Sequence, residues 1–202
     1  MPALSLLTIA GAVLWTVLVV AAQTLTPGQS ALRLGMSGLA TGRYGWLMKL
    51  AFVVRGLTAL ALVAAVAGSV PAAALSVPGL VLFAAWGGGS ALLACYDTDM
   101  PGLKPTRRGQ AHALIALVAY IAAVAGMILV SLPLRHAEAT AGMGRWALFI
   151  ALVAAVAMVA QFAGFAVAAR PAAGGLGGHA GLLQRVFLAL VMLWTVVVAV
   201  GL

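Results

Sequence analysis

The chain has 202 residues, 65% of them hydrophobic and 7% charged, with a formal net charge of +8. A mean hydropathy of +1.18 excludes a water-soluble globular domain, in which about a quarter of residues are charged. The basic residues are scattered among the polar links, with no stripe and no interleaved aromatic platform, so nucleic acid is not an expected partner.

Membrane lipid is the expected solvent. A run of about 20 apolar residues crosses a hydrocarbon core about 30 Å thick, and six such runs occur, over residues 3–22, 46–70, 73–96, 109–132, 146–168 and 182–202. None alternates with period two, and helices satisfy their own backbone hydrogen bonds in lipid. The expected fold is therefore all-α, a polytopic integral membrane protein, with residues 1–202 forming one six-transmembrane-helix bundle. The first run lacks the basic n-region of a signal peptide and is expected to stay as a helix.

The first link, between runs one and two, carries Arg33, Ser37 and Arg43. Arg55 follows about nine residues into the second run, where it must snorkel, face a water-filled cavity or pair with a carboxylate, Asp97 or Asp99 being the expected partners. The link near Ser69–Ala72 is tiny. The third run contains Gly87-Gly88-Gly89 and then Ser90, which permit close packing, a kink or room for a ligand. Cys95 is the single cysteine, so no internal disulfide can form.

The third link holds two of the three acidic residues, in the run Tyr96-Asp97-Thr98-Asp99-Met100-Pro101-Gly102. Pro101, Gly102 and Pro105 predict turns, Thr106 predicts a helix N-cap, and His112 falls in the first turns of the fourth run. Two carboxylates two residues apart can ligate a divalent cation. They can also divide into a raised-pKa acid and an ionised partner, or merely offset Lys104, Arg107 and Arg108. His112, near a helix N-terminus, is biased toward its neutral form and can accept a proton. Tyr120, two turns on, and Gln161 in the fifth run are single polar groups expected to face the interior, interhelical hydrogen bonds being their simplest role. Pro171–Gly181 is a Gly/Ala-rich link. His136 and His179 lie in links and read as solvated.

The loop-rich face carries Arg33, Arg43, Lys49, Lys104, Arg107, Arg108, Arg170 and Arg185, against Arg135 and Arg145 opposite, so the positive-inside rule places it in the cytoplasm. Several runs resemble the DUF998 family of six-span bacterial and archaeal membrane proteins. Ser30-Ala31-Leu32-Arg33 through Ser37-Gly38-Leu39 is similar to its "S-x-L-R…S-x-L" stretch. Tyr44-Gly45-Trp46-Leu47-Met48 with Phe52–Leu57 resembles the opening of its second span. The third link with its histidine, and Gly181-Leu182-Leu183-Gln184-Arg185, resemble further family positions. Gly38 stands where the family usually has an acidic residue, and Arg55 takes a normally apolar place. The resemblance implies six spans and a prokaryotic plasma membrane, but no particular activity.

Together these features predict a polar interfacial pocket that binds or transforms a lipid-like or isoprenoid-like molecule. Terpenoid cyclisation and lipid hydrolysis are the acid/base reactions that suit it. Asp97, Asp99 and His112 are the candidate catalytic groups, and Arg33, Ser37, Arg55, Tyr120 and Arg185 the candidate substrate-binding groups. A divalent cation at Asp97/Asp99 is one option for a cofactor. A small-molecule or proton-coupled transporter predicts instead a polar path through the bundle, and a non-catalytic membrane partner or assembly factor predicts that Asp97 serves stability alone.

Overall fold

The structure is a computed structural model that describes residues 2–100, 102–168 and 175–202. Six helices carry the expected runs: α1 Pro2–Thr24, α2 Gly45–Ser69, α3 Val77–Leu92, α4 Arg107–Leu134, α5 Ala141–Ala168 and α6 Ala180–Val200. All six, with their short 3-10 extensions, are long and apolar enough to cross a membrane. Large apolar side chains such as Leu6, Val81 and Val156 point outward. That is the surface expected of a bundle dissolved in lipid.

Sequential helices pack on one another, and α6 closes the ring against α1. Small residues set the closest approaches. A Cβ on Gly56 would meet the Gly87 carbonyl oxygen at 2.6 Å, and one on Gly89 would meet Ala119 of α4 at 3.0 Å. Two of the three adjacent glycines are therefore packing positions, as small residues commonly are where membrane helices cross.

Two helix starts differ from expectation by four residues or more. The third helix starts at Val77, not residue 73, because Ala72–Ala74 form a 3-10 turn after Pro71 and Ser76 then caps Gly79 N at 3.2 Å. The fifth begins at Ala141, five residues early, since Gly142 and Gly144 continue the helix; Gly144 lets its backbone press against Leu134 and Arg135. Pro101, Arg170 and Pro171 lie outside the described residues. The Gly102 backbone is left-handed (φ +85°), which makes the third link turn sharply.

The first link is an ordered cap across one end of the bundle. Its 3-10 helix, Met36–Thr41, buries Met36, Leu39 and Ala40 against the bundle. The bare α carbon of Gly45 sits against the Ala40 carbonyl.

Candidate functional site

The two aspartates of the third link have separate partners. Asp97 Oδ1 pairs with Lys49 Nζ of α2 at 2.7 Å, with both side chains partly exposed (48% and 39%). That ammonium holds the Asp97 carboxyl below its ordinary value, assisted by Arg108 and His112 and only partly offset by burial. Asp97 is thus ionised and is not the raised-pKa acid that its place in the sequence allows. Asp99 instead accepts from Thr106 N and Thr106 Oγ1, both at 2.8 Å. Thr106 in turn accepts from Gly109 N at 3.0 Å as the N-cap of α4. Asp99 therefore stabilises the α4 terminus. Its carboxylate packs directly on Gly109. Among the described residues no three His, Cys, Asp or Glu side chains gather as a metal site. Both aspartates are already engaged by other groups.

His112 turns inward and is buried. Its Nδ1 lies 2.8 Å from the Tyr96 carbonyl oxygen. A carbonyl only accepts, so Nδ1 carries the hydrogen and Nε2 of the neutral ring is a bare acceptor. Nε2 is buried and has no hydrogen-bond partner among the described residues, and the ring lies 6.1 Å from that of Phe52.

Arg55 does not snorkel, and it does not reach either aspartate. Ten residues into α2, about 15 Å along the axis at about 1.5 Å per residue, it is wholly buried (0% exposed). Nε donates to Ser90 Oγ of α3 at 3.1 Å, whereas Nη1 and Nη2 have no hydrogen-bond partner among the described residues. The guanidinium carbon lies over the rings of Phe52 (5.5 Å) and Trp86 (5.8 Å). The Tyr120 hydroxyl is its polar neighbour on α4. Tyr120 oxygen accepts from Gln184 Nε2 at 3.3 Å, and Gln184 Oε1 accepts from Met36 N of the cap at 2.7 Å.

Arg185 is a clamp and not an open anion-holding group. Its Nη1 donates to the carbonyls of Ala31 (2.8 Å), Leu34 (2.9 Å) and Gly181 (3.0 Å), and Nη2 to Gln23 Oε1 at 2.5 Å. Leu182 N donates to the Leu32 carbonyl at 3.1 Å, and the Gly181 backbone presses on the carbonyls of Leu34 and Ala31. The cap and the start of α6 are thus one locked unit. Arg33 is exposed on the link, and Ser37 is half-buried on the cap helix. Neither is brought to the Arg55 cluster by a hydrogen bond among the described residues. Sequence reasoning missed Lys49 and Gln184. A glutamine beside an arginine in the first turn of an apolar span was the available signal for the second.

The polar interior is one-sided. Arg55, Ser90, His112, Gln161 and Gln184 all lie in the half of the bundle beneath the cap. Gln161 is fully buried, and among the described residues neither amide atom has the interhelical partner expected of it. Elsewhere the buried hydroxyls of Thr8, Thr58, Ser131 and Thr195 each donate to a carbonyl one turn earlier. Ser131 also accepts from Trp194 Nε1 at 3.0 Å. Above Arg55, at the loop-rich surface, an open cleft of about 420 Å³ is lined by Ala40, Thr41, Gly42, Gly45, Trp46, Lys49 and Asp97. A second, apolar groove of about 320 Å³ runs between α1 and α6, past Ala12, Trp15, Thr16, Met192 and Val196.

No curated protein and no solved structure matches the chain. One family model does, that of DUF998, described as a protein of unknown function, and it covers residues 9–201. That span contains every helix from mid-α1 onward, the cap and its Arg185 clamp, the third link and the buried polar cluster: the chain belongs to the DUF998 family.

Proposed function

We propose that this membrane protein binds a lipid-like or isoprenoid-like amphiphile at its loop-rich face, with the polar head in the Lys49–Asp97 cleft and the apolar part along Trp46 and the lipid. The cleft itself carries the reading. It joins a fixed ion pair, the exposed Thr41 and bare backbone at Gly42 and Gly45 to an aromatic ring at the depth where headgroups meet hydrocarbon. The pair offers both a donor and an acceptor, which suits a zwitterionic or hydroxyl-bearing head. Binding is better supported than acid-initiated chemistry, because Asp97 is ionised and both Asp99 oxygens are engaged. It is better supported than transport, because the buried hydroxyls of the opposite half are bonded within their own helices. The membrane is the prokaryotic plasma membrane, with the cleft facing the cytoplasm, as the surplus of Lys and Arg at that face favours.

A zwitterionic phospholipid with a photoactivatable diazirine on its head tests this. Crosslinks are expected within Thr41–Lys49 or at Asp97, and they are expected to fall in Asp97→Asn and Lys49→Met. Labelling confined to lipid-facing positions such as Val13 or Val156 would contradict it. Orientation is read separately by labelling exposed Cys95 with an impermeant maleimide, which is expected to fail on spheroplasts and succeed on inverted vesicles.

A further inference from the structure

The chain has three acidic residues, and none is available to the buried guanidinium of Arg55. Asp97 holds Lys49, Asp99 holds Thr106, and Glu138 is exposed on the link between α4 and α5 at the other end of the bundle. An arginine stays charged in proteins, and a charge inside a bundle calls for a partner or water. Among the described residues Arg55 uses one donor, on Ser90, and Nη1 and Nη2 have no hydrogen-bond partner.

The surroundings fix what fits there. The bond to Ser90 orients the guanidinium plane, and the rings of Phe52 and Trp86 lie against it, so the free Nη1/Nη2 edge is what a ligand meets. Two parallel N–H groups on a planar fork match the two oxygens of a carboxylate. Tyr120, whose oxygen already accepts from Gln184, keeps its O–H to donate. One fixed positive charge, with the bare His112 Nε2 in the same half of the interior, favours a monoanion over a dianionic phosphate.

We propose that Nη1 and Nη2 of Arg55 form the receiving edge of a buried site for one carboxylate supplied by another molecule, with the Tyr120 hydroxyl as a further donor. Phe52, one turn nearer the cap and buried, lies against Arg55 and does not line the Lys49–Asp97 cleft. The carboxylate site does not depend on the cleft being occupied.

The test uses the full chain in uncharged maltoside micelles, with thermal unfolding followed by helical circular dichroism. Laurate is compared with dodecanol, which has the same chain length without the charge, and with acetate, which has the charge without the chain. Laurate is expected to raise the unfolding midpoint in a saturable way, and dodecanol is not. Arg55→Met is expected to weaken the apparent affinity on the order of 10- to 100-fold, the value of a hydrogen bond to a charged group. Acetate acting as laurate does would keep the site and make its natural occupant a small soluble carboxylate. If neither shifts the midpoint, or if Arg55→Met responds as the wild type does, the site is refuted. Should Arg55→Met not fold, Ser90→Ala and Tyr120→Phe serve instead. Each is expected to weaken laurate by about tenfold, and unchanged affinity in both overturns the proposal. Asp97→Asn is expected to leave laurate affinity unaltered, which separates this site from the cleft.

Discussion

Removing the Arg185 guanidinium is expected to release the cap before it disturbs the spans. Arg185→Met keeps much of the apolar stem and loses every donor. Three of the bonds lost are non-local: those to Ala31, Leu34 and Gln23. A hydrogen bond to a charged group contributes about 1.5–3 kcal/mol. Arg185 is only half-buried and water can reoccupy the freed carbonyls, so each bond counts for less than that range and the three together are worth about 2–4 kcal/mol. That loss falls on local opening of the cap, because the helices pack through other contacts. Exposed Arg33 and Arg43 are then tryptic sites on the released segment. When opening is fast relative to cleavage, each 1.4 kcal/mol raises the cleavage rate about tenfold, so the variant is expected to be cut there roughly 30- to 1,000-fold faster. Its helical circular dichroism should stay near that of the wild type. Arg185→Lys should fall between, since a single ammonium cannot serve several carbonyls from one planar fork. Cleavage of Arg185→Met at the wild-type rate would refute the clamp.

Three further outcomes are expected. Because Lys49 lowers the folded Asp97 pKa, their pair stabilises above the unfolded carboxyl range, near about 3.9, and loses its effect as pH falls through the lower folded value. Wild type and Asp97→Asn should differ in unfolding free energy by at most about 1 kcal/mol at pH 7, given the exposure of both partners, and converge in strong acid. A gap that persists there would exclude the pair as its cause. Gly109→Ala pushes a methyl into the Asp99 carboxylate and should cost about 1 kcal/mol of capping. In an Asp99→Ala background the same change should be neutral or stabilising by up to about 1 kcal/mol, and the sign change in thermal midpoint is the readout. Gln184→Leu orphans the buried Met36 N–H and should cost about 1–3 kcal/mol, whereas Gln161→Leu, which removes an unpartnered amide, should be neutral or stabilising in the same unfolding measurement.

The spans were legible because each is an uninterrupted apolar run of the length a bilayer demands, and the α4 cap because Thr106, a residue type that caps helices, stands just ahead of the fourth run. The site was legible only as a place. Asp97 and Asp99 stood out by rarity, but rarity does not reveal that one faces α2 while the other turns back on its own link. Which of eleven basic residues meets Asp97 depends on where α2 and the third link converge, and Lys49 lies nearly two turns closer to the surface than Arg55. Arg185 read as a ligand group because isolated cations near spans often are. Its targets are backbone carbonyls of the cap, which no side-chain pattern displays. Gln184 escaped for a similar reason: an amide changes no charge count, yet it links the cap to Tyr120.

One-sidedness is tested most directly by cysteine accessibility in a Cys95→Ser background, using an impermeant thiol reagent applied to each side of the membrane in turn. Thr41→Cys at the cleft should react, and from a single side. Thr58→Cys at mid-depth and Thr195→Cys beyond it should react from neither, since both hydroxyls are buried and bonded within their own helices. Labelling of Thr58→Cys and Thr195→Cys would mean that water crosses the bundle, and a pocket closed on one side would then be the wrong account.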